Sequence, residues 1–338
     1  MNNNKTILVT GCCGMIGFNT VKLLLSLEYQ VIGIDNFLET HKTNHIYQNF
    51  ALQELLAYKN FKFLSIDISK DNIIYSDSFI KNKLIEPSYI KDIDAIVHLA
   101  AHPGVKFSHD NPLQTLENNQ QSFIKCLEIS RILKLAENKN IPVFFASSSS
   151  VYGNQNQAVS ENSILTPLSV YALSKKHNED IAKIYHESYG ISCIALRFFT
   201  VYGPCNRPDM LVHKILNSIK YQEPLTLYKN GIMKRSFTFV EDVSNVILKL
   251  LENPINYGYD IFNIGSQTNI DLLSFVNLFE EKMNSKASLI LVPDKPNYDP
   301  EITYCNNQKI LKLFPQLVLT DFTDGVSHTV QWFSDSLH

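Results

Sequence analysis

Short runs of apolar residues alternate along the chain with longer segments in which apolar positions return every third or fourth residue. The runs are Thr6–Thr10, Val31–Ile34, Phe61–Ile66, Ala95–Ala100, Val143–Ser147 and Cys193–Phe198. The longer segments include Ile16–Leu27, Asn118–Asn138 and Val170–Tyr189. Near-continuous apolar runs predict strands buried on both faces, and the longer period predicts helices. Their alternation predicts an α/β fold built on a doubly wound parallel sheet with helices on both sides. Past residue 200 the pattern loses regularity and prolines become frequent. The expected division is a nucleotide-binding domain at residues 1–200 and a smaller mixed α/β substrate region at 201–338, packed over the strand ends of the first.

Composition narrows the possibilities. The chain has 338 residues, 45% of them hydrophobic, which is ordinary globular composition. Its 30 basic and 33 acidic residues leave a net charge of −3, so no field favours nucleic acid or an anionic membrane. No apolar stretch is long enough to predict a transmembrane helix, and the opening Met1-Asn2-Asn3-Asn4-Lys5 lacks the layout of a secretion signal. Six cysteines form no C-x-x-C pair, so reduced thiols and a cytoplasmic location are expected. Only four of the basic residues are arginine: Arg131, Arg197, Arg207 and Arg235. In a chain that otherwise uses lysine, each is expected to mark a place needing the planar guanidinium fork.

The first strand runs into Gly11-Cys12-Cys13-Gly14-Met15-Ile16-Gly17 and then an amphipathic helix. Glycines there allow a tight turn and close backbone approach to a pyrophosphate, which the helix N-terminus attracts. The second strand ends in Asp35-Asn36. A carboxylate in that place accepts hydrogen bonds from an adenosine ribose and repels a 2′-phosphate, which favours NAD over NADP. The third strand ends in Asp67-Ile68, where Asp67 is placed to meet the adenine amino group. The fourth ends in His98-Leu99-Ala100-Ala101-His102, where small residues leave room for the cofactor. The two histidines lie on strand and loop, so no metal is expected.

Tyr171 and Lys175 stand one turn apart on a predicted helix and so share a face. A free phenol titrates near pH 10, and bringing it to neutrality takes about 4 kcal/mol of differential interaction, for which a close ammonium is the expected source. The fifth strand ends in Ser147-Ser148-Ser149-Ser150, a cluster of hydroxyls at a strand end. Carboxyl ends of strands are where an open α/β sheet binds its ligands.

Taken together, the motifs TGCCGMIG, HLAAH, SSSSVYG, YALSK and LRFFTVYGP resemble the extended short-chain dehydrogenase/reductase family, and within it the nucleotide-sugar epimerases. The resemblance implies a Rossmann-like fold and bound NAD. Phe198-Phe199-Thr200-Val201-Tyr202-Gly203-Pro204-Cys205-Asn206-Arg207-Pro208-Asp209-Met210 most resembles the branch that inverts the 4-position of UDP-glucuronate, giving UDP-galacturonate through a 4-keto sugar. The implied roles follow. Tyr171 is the base, Lys175 lowers its pKa and holds the nicotinamide ribose, and Ser148 shares the hydrogen bond to the 4-hydroxyl. Ser149, Ser150 and Thr200 hold the sugar carboxylate, Arg207 serves the same pocket or steadies its loop, Arg235 holds the UDP phosphates, and Asp299 the UDP ribose. Asn118 falls near the nicotinamide side, Ser147 and Phe198 are expected to touch the cofactor, and Lys106 is expected to face the substrate.

No acid stands at 149 or 150 to serve a dehydration. Two departures from the family pattern are Ser236 in Arg235-Ser236-Phe237-Thr238 and Tyr298 where a glycine is usual before Asp299. The resemblance also implies a homodimer formed through the helices at 118–138 and 170–189. Three other readings stay open at this point: a neutral UDP-hexose 4-epimerase, a UDP-glucuronate decarboxylase, and a dinucleotide-binding regulatory protein without catalysis.

Overall fold

The computed structural model describes residues 5–37, 44–71, 92–253 and 258–336. The segment read against a secretion signal, up to Asn4, lies outside them. The first half runs β1 (Thr6–Thr10), α1 (Met15–Ser26), β2 (Gln30–Asp35), α2 (Asn44–Leu56), β3 (Phe61–Ser65), β4 (Ile93–His98), α3 (Val105–Asp110), α4 (Pro112–Glu137) and β5 (Val143–Ser148). A single 3₁₀ turn at Ser149–Tyr152 leads on to α5 (Val170–Tyr189), β6 (Cys193–Phe198), β7 (Thr200–Tyr202), α6 (Leu211–Tyr221) and β8 (Leu225–Tyr228). The rest comprises β9 (Lys234–Phe239), α7 (Val240–Glu252), β10 (Tyr259–Ile264), β11 (Asn269–Asp271), α8 (Leu272–Met283), β12 (Leu289–Val292), β13 (Ile302–Thr303), α9 (Gln308–Leu313) and α10 (Phe322–Ser336).

Seven strands form one sheet in the order β10-β6-β5-β4-β1-β2-β3, every pair parallel. Alternate β1 residues enter different cores: Ile7 and Val9 pack with Phe18 and Val21 of α1 and Val243 and Ile247 of α7. Leu8 packs on the other face with Phe123 and Leu127 of α4 and Ala182 of α5. Burial of both faces explains the unbroken apolar runs. The order reverses between β1 and β4, and the crevice at such a switch, beyond the carboxyl ends of the strands, is where ligands bind.

The division at residue 200 is not a clean cut in the chain. The seventh strand, β10, pairs with β6 from Tyr259↔Cys193 to Ile264↔Phe198, and α7 packs against α1. The covering region has its own aromatic core, in which Phe237 stacks on Phe275 with ring centroids 3.7 Å apart.

Helix α5 occupies the predicted span because both ends are signalled. Ser169 accepts a hydrogen bond from the Ala172 N–H at 3.1 Å, and Gly190 stops the helix in the left-handed conformation. Helix α4 starts at Pro112, ahead of the predicted Asn118, since proline fits a first helical turn whose N–H groups need no partner within the helix. All six cysteines are buried and unbridged.

Candidate active site

At one end of the crevice the glycine loop leaves β1. Gly11 has φ +72°, and a Cβ there would lie 2.8 Å from the Ala100 nitrogen; a Cβ on Gly17 would lie 2.0 Å from the Gly11 carbonyl oxygen. The loop therefore closes this tightly only with glycine at both positions. Gly14 caps α1 without a side-chain hydrogen bond, so the first turn of the helix presents its N–H groups to the crevice. Asp35 is buried and accepts from the Cys13 N–H at 2.9 Å and the Phe37 N–H at 3.0 Å. Burial raises its carboxyl above the usual range against the pull of those bonds. The Cys12, Cys13 and Asp35 ligand atoms lie close together, but Asp35 already serves two N–H donors and burial drives the Cys12 thiol far up. We read this group as loop packing.

Asp67 accepts from the Ser69 N–H at 3.0 Å and its hydroxyl at 2.5 Å; burial pushes its carboxyl up, but these bonds, with Asn36 and Lys70, together outweigh it and leave the carboxyl lowered. Met15, Ile16, Asn36, Ile68, Leu99, Ala100, Ala101, Asn118, Ser147 and Phe198 line the same crevice. A tight glycine cradle, an open helix N-terminus and a carboxylate on the second strand suit a dinucleotide. His98 is buried against Thr10 and Cys126, and burial holds it neutral with a pKa of about 3.

The crevice is continuous with the space beyond it, a single cavity of about 600 Å³ that also carries the serine cluster, Tyr171 and Lys175 on its wall. The four serines do different things. The Ser147 hydroxyl donates to Glu179 at 2.5 Å. Ser148 caps the 3₁₀ turn, accepting from the Ser150 N–H at 3.1 Å and the Ser150 hydroxyl at 2.8 Å, and also shares a hydrogen bond with Tyr171. Ser149 lines the cavity beside them.

Tyr171 departs from expectation. Enclosure raises its phenol above the usual value; the opposing influences are the Ser148 hydrogen bond and the Arg207 charge, not Lys175. The Lys175 ammonium stands 5.8 Å from the ring centroid, and its own burial brings it down to about 8. In the protein alone, desolvation outweighs the Ser148 hydrogen bond and the Arg207 charge.

Thr200, Arg207, Arg235 and Asp299 also line the cavity. Arg207 grips Asp209 with two parallel bonds of 2.9 and 2.7 Å. Arg235 is buried and donates to Asp299 at 2.9 Å, to the Pro300 carbonyl at 2.8 Å and to the Glu301 carbonyl at 3.0 Å. Burial lowers its guanidinium, with Asp299 opposing. Lys106 is exposed on α3, close enough to Lys214 of α6 for the two charges to interact. Lys214 lines the cavity, and sequence reading missed it along with Asp209 and Tyr228. A signal for Lys214 existed in its spacing of one turn beyond Met210, at the end of the Arg-Pro-Asp-Met run.

The chain belongs to the NAD dependent epimerase/dehydratase family, whose sequence model matches residues 7–265. Among individual relatives, it is 30% identical over 332 residues to a UDP-glucuronate 4-epimerase of Thermodesulfobacterium geofontis, covering 98% of this chain and 96% of the relative. It is 34% identical over 330 residues to an uncharacterized UDP-glucose epimerase of Bacillus subtilis, YtcB, covering 97% and 98%. Among solved structures, it superposes with a TM-score of 0.85 and 29% identity on the UDP-glucuronic acid 4-epimerase from Bacillus cereus in complex with UDP-glucuronic acid and NAD, covering 97% and 99%.

Proposed function

We propose that this chain is an isomerase that holds NAD and inverts the 4-position of UDP-glucuronate, interconverting it with UDP-galacturonate. The observation that carries this reading is one continuous cavity lined by the glycine loop, by Tyr171 with Ser148, and by Arg207 and Arg235. Gly11, Gly14, Gly17, Asp35, Asp67, Asn118 and Lys175 would hold the dinucleotide. When bound, it accepts and returns a hydride at the sugar 4-carbon.

The chain's own part is proton transfer and restraint. Tyr171 takes the proton from the 4-hydroxyl and later returns it, with Ser148 hydrogen-bonded to both oxygens. A phenol raised by burial needs positive charge beside it to act as a base, which the nicotinamide would supply when bound. Arg235 anchors the diphosphate while the sugar ring turns, so binding energy is placed on the nucleotide rather than on the ring. Ser149, Ser150, Thr200 and Arg207 hold the carboxylate. The 4-keto intermediate is a β-keto acid, which loses carbon dioxide when its carboxylate bond aligns with the ketone. Hydroxyls restrain that group by donating hydrogen bonds to it, without supplying a general acid.

Two further features belong to this reading. Leu113 and Leu135 of α4 and Leu173, Ile184 and Tyr189 of α5 are exposed, which supports a homodimer through these helices. Six unbridged thiols support a cytoplasmic setting. The test is incubation of the purified protein with UDP-glucuronate, without added NAD, followed by proton NMR. UDP-galacturonate is the expected product. A pentose nucleotide as the main product, or turnover of UDP-glucose alone, overturns the assignment.

A further inference from the structure

We propose that His109 and Tyr298 form an aromatic clasp across the mouth of the cavity, which slows escape of the nucleotide sugar; the proposal rests on the function given above. Their rings lie 4.9 Å apart, centroid to centroid, at 36°. The two come from separate segments of the chain, each adjoining the cavity. Val105 lines the cavity, and His109 stands one turn further along the same face of α3. On the other side Asp299 and Pro300 line it, and Tyr298 immediately precedes them. A contact between these two residues therefore joins wall to wall.

The Tyr298 side is held firmly. The Lys295 ammonium donates to the Asp299 carbonyl at 2.7 Å, the Asp299 N–H to the Pro296 carbonyl at 3.2 Å, and Asp299 accepts from Arg235 at 2.9 Å. This short turn presents Tyr298 towards His109 and Asp110, with the cavity-lining Tyr228 also beside it. The pair is not core packing: His109 is exposed, Tyr298 is half-buried, and neither belongs to a hydrophobic cluster. An exposed ring pair tying two rims serves the opening between them. The chemistry proposed above gives that a purpose, since a sugar that must turn over part-way through the reaction cannot be gripped tightly by its ring. Retention then falls to the nucleotide end and to whatever closes over it.

The test is the dissociation rate of UDP from the purified protein with its bound cofactor, by stopped-flow displacement. An aromatic pair of this kind is worth about a two- to tenfold change in rate. Tyr298→Gly and His109→Ala are each expected to speed UDP release by that factor, the double variant no further, and Tyr298→Phe to release at the wild-type rate. Unchanged rates in the single variants, or effects that multiply in the double, overturn the clasp while leaving the proposed function standing. A wild-type protein that does not bind UDP overturns both.

Discussion

Replacing Arg197 by methionine should loosen the catalytic helix from the sheet. Arg197 rises from β6 and holds Glu179 of α5 through Nε at 2.8 Å and Nη2 at 2.7 Å, with side-chain exposures of 2% and 3%. Nη1 also donates to the Tyr152 hydroxyl at 2.7 Å and to the Glu161 carbonyl at 3.2 Å. Glu179 in turn accepts from Ser147 at the end of β5. This network fixes the helix carrying Tyr171 and Lys175 in register with the strand carrying Ser148. Arg197→Met leaves a buried carboxylate without its cation, which costs about 3–5 kcal/mol. Total stability of a domain is only about 5–15 kcal/mol, so the loss is large. Pairing it with Glu179→Leu removes the stranded charge and should recover most of the loss, because an apolar pair of similar size is often neutral. Urea unfolding of the wild type, both single variants and the double closes the cycle. A cost under about 1 kcal/mol for Arg197→Met, or a double variant no better than the worse single, would refute the argument that the pair locks the helix.

Lys175 gives a pH signature. Its folded pKa of about 8 lies below the unfolded value, so the unfolded chain binds more protons between about pH 8 and 10.4, and stability rises with pH across that window. Below pH 8 the penalty is present in full, so Lys175→Met is expected to stabilise the cofactor-free protein by up to about 3 kcal/mol at pH 7, with the gain shrinking towards pH 10. A gain in melting temperature that does not change with pH would contradict this. Gly17→Ala places a Cβ 2.0 Å from the Gly11 oxygen and should weaken NAD binding at least about tenfold by calorimetry; unchanged affinity would mean that the loop yields freely. Ser149→Ala or Thr200→Ala should leak a pentose nucleotide detectable by mass spectrometry, and its absence from both would sink the idea that these hydroxyls restrain the carboxylate.

Much of the fold was legible because each signal was local. Alternating cores on either side of β1 impose near-continuous apolar strands, and Ser169 with Gly190 brackets α5 in the sequence itself. The glycine loop was legible for the same reason, since strand, turn and helix N-terminus are consecutive. The scarcity of arginine was also informative. Arg131, Arg197 and Arg207 each donate two hydrogen bonds to a carboxylate, and Arg235 splits its fork between carbonyls and Asp299. What arginine count did not reveal was the partner: Glu179 for Arg197, Asp209 for Arg207. Lys106 and Lys214 show the same limit. Both are plain lysines near the right motifs, and only the folded chain shows that Lys214 lines the cavity. The balance on Tyr171 was likewise beyond reach, because spacing shows that an amine is near but not how far the surrounding protein desolvates the phenol.

The central claim is that the Tyr171 phenol carries the proton at the sugar 4-position. The direct measurement is the NMR time course of UDP-glucuronate with wild type and with Tyr171→Phe, alongside UDP binding by both. The account predicts UDP-galacturonate from the wild type and a rate lower by about 10²–10⁴ in the variant, with UDP binding preserved. Equal rates in the two proteins would contradict it.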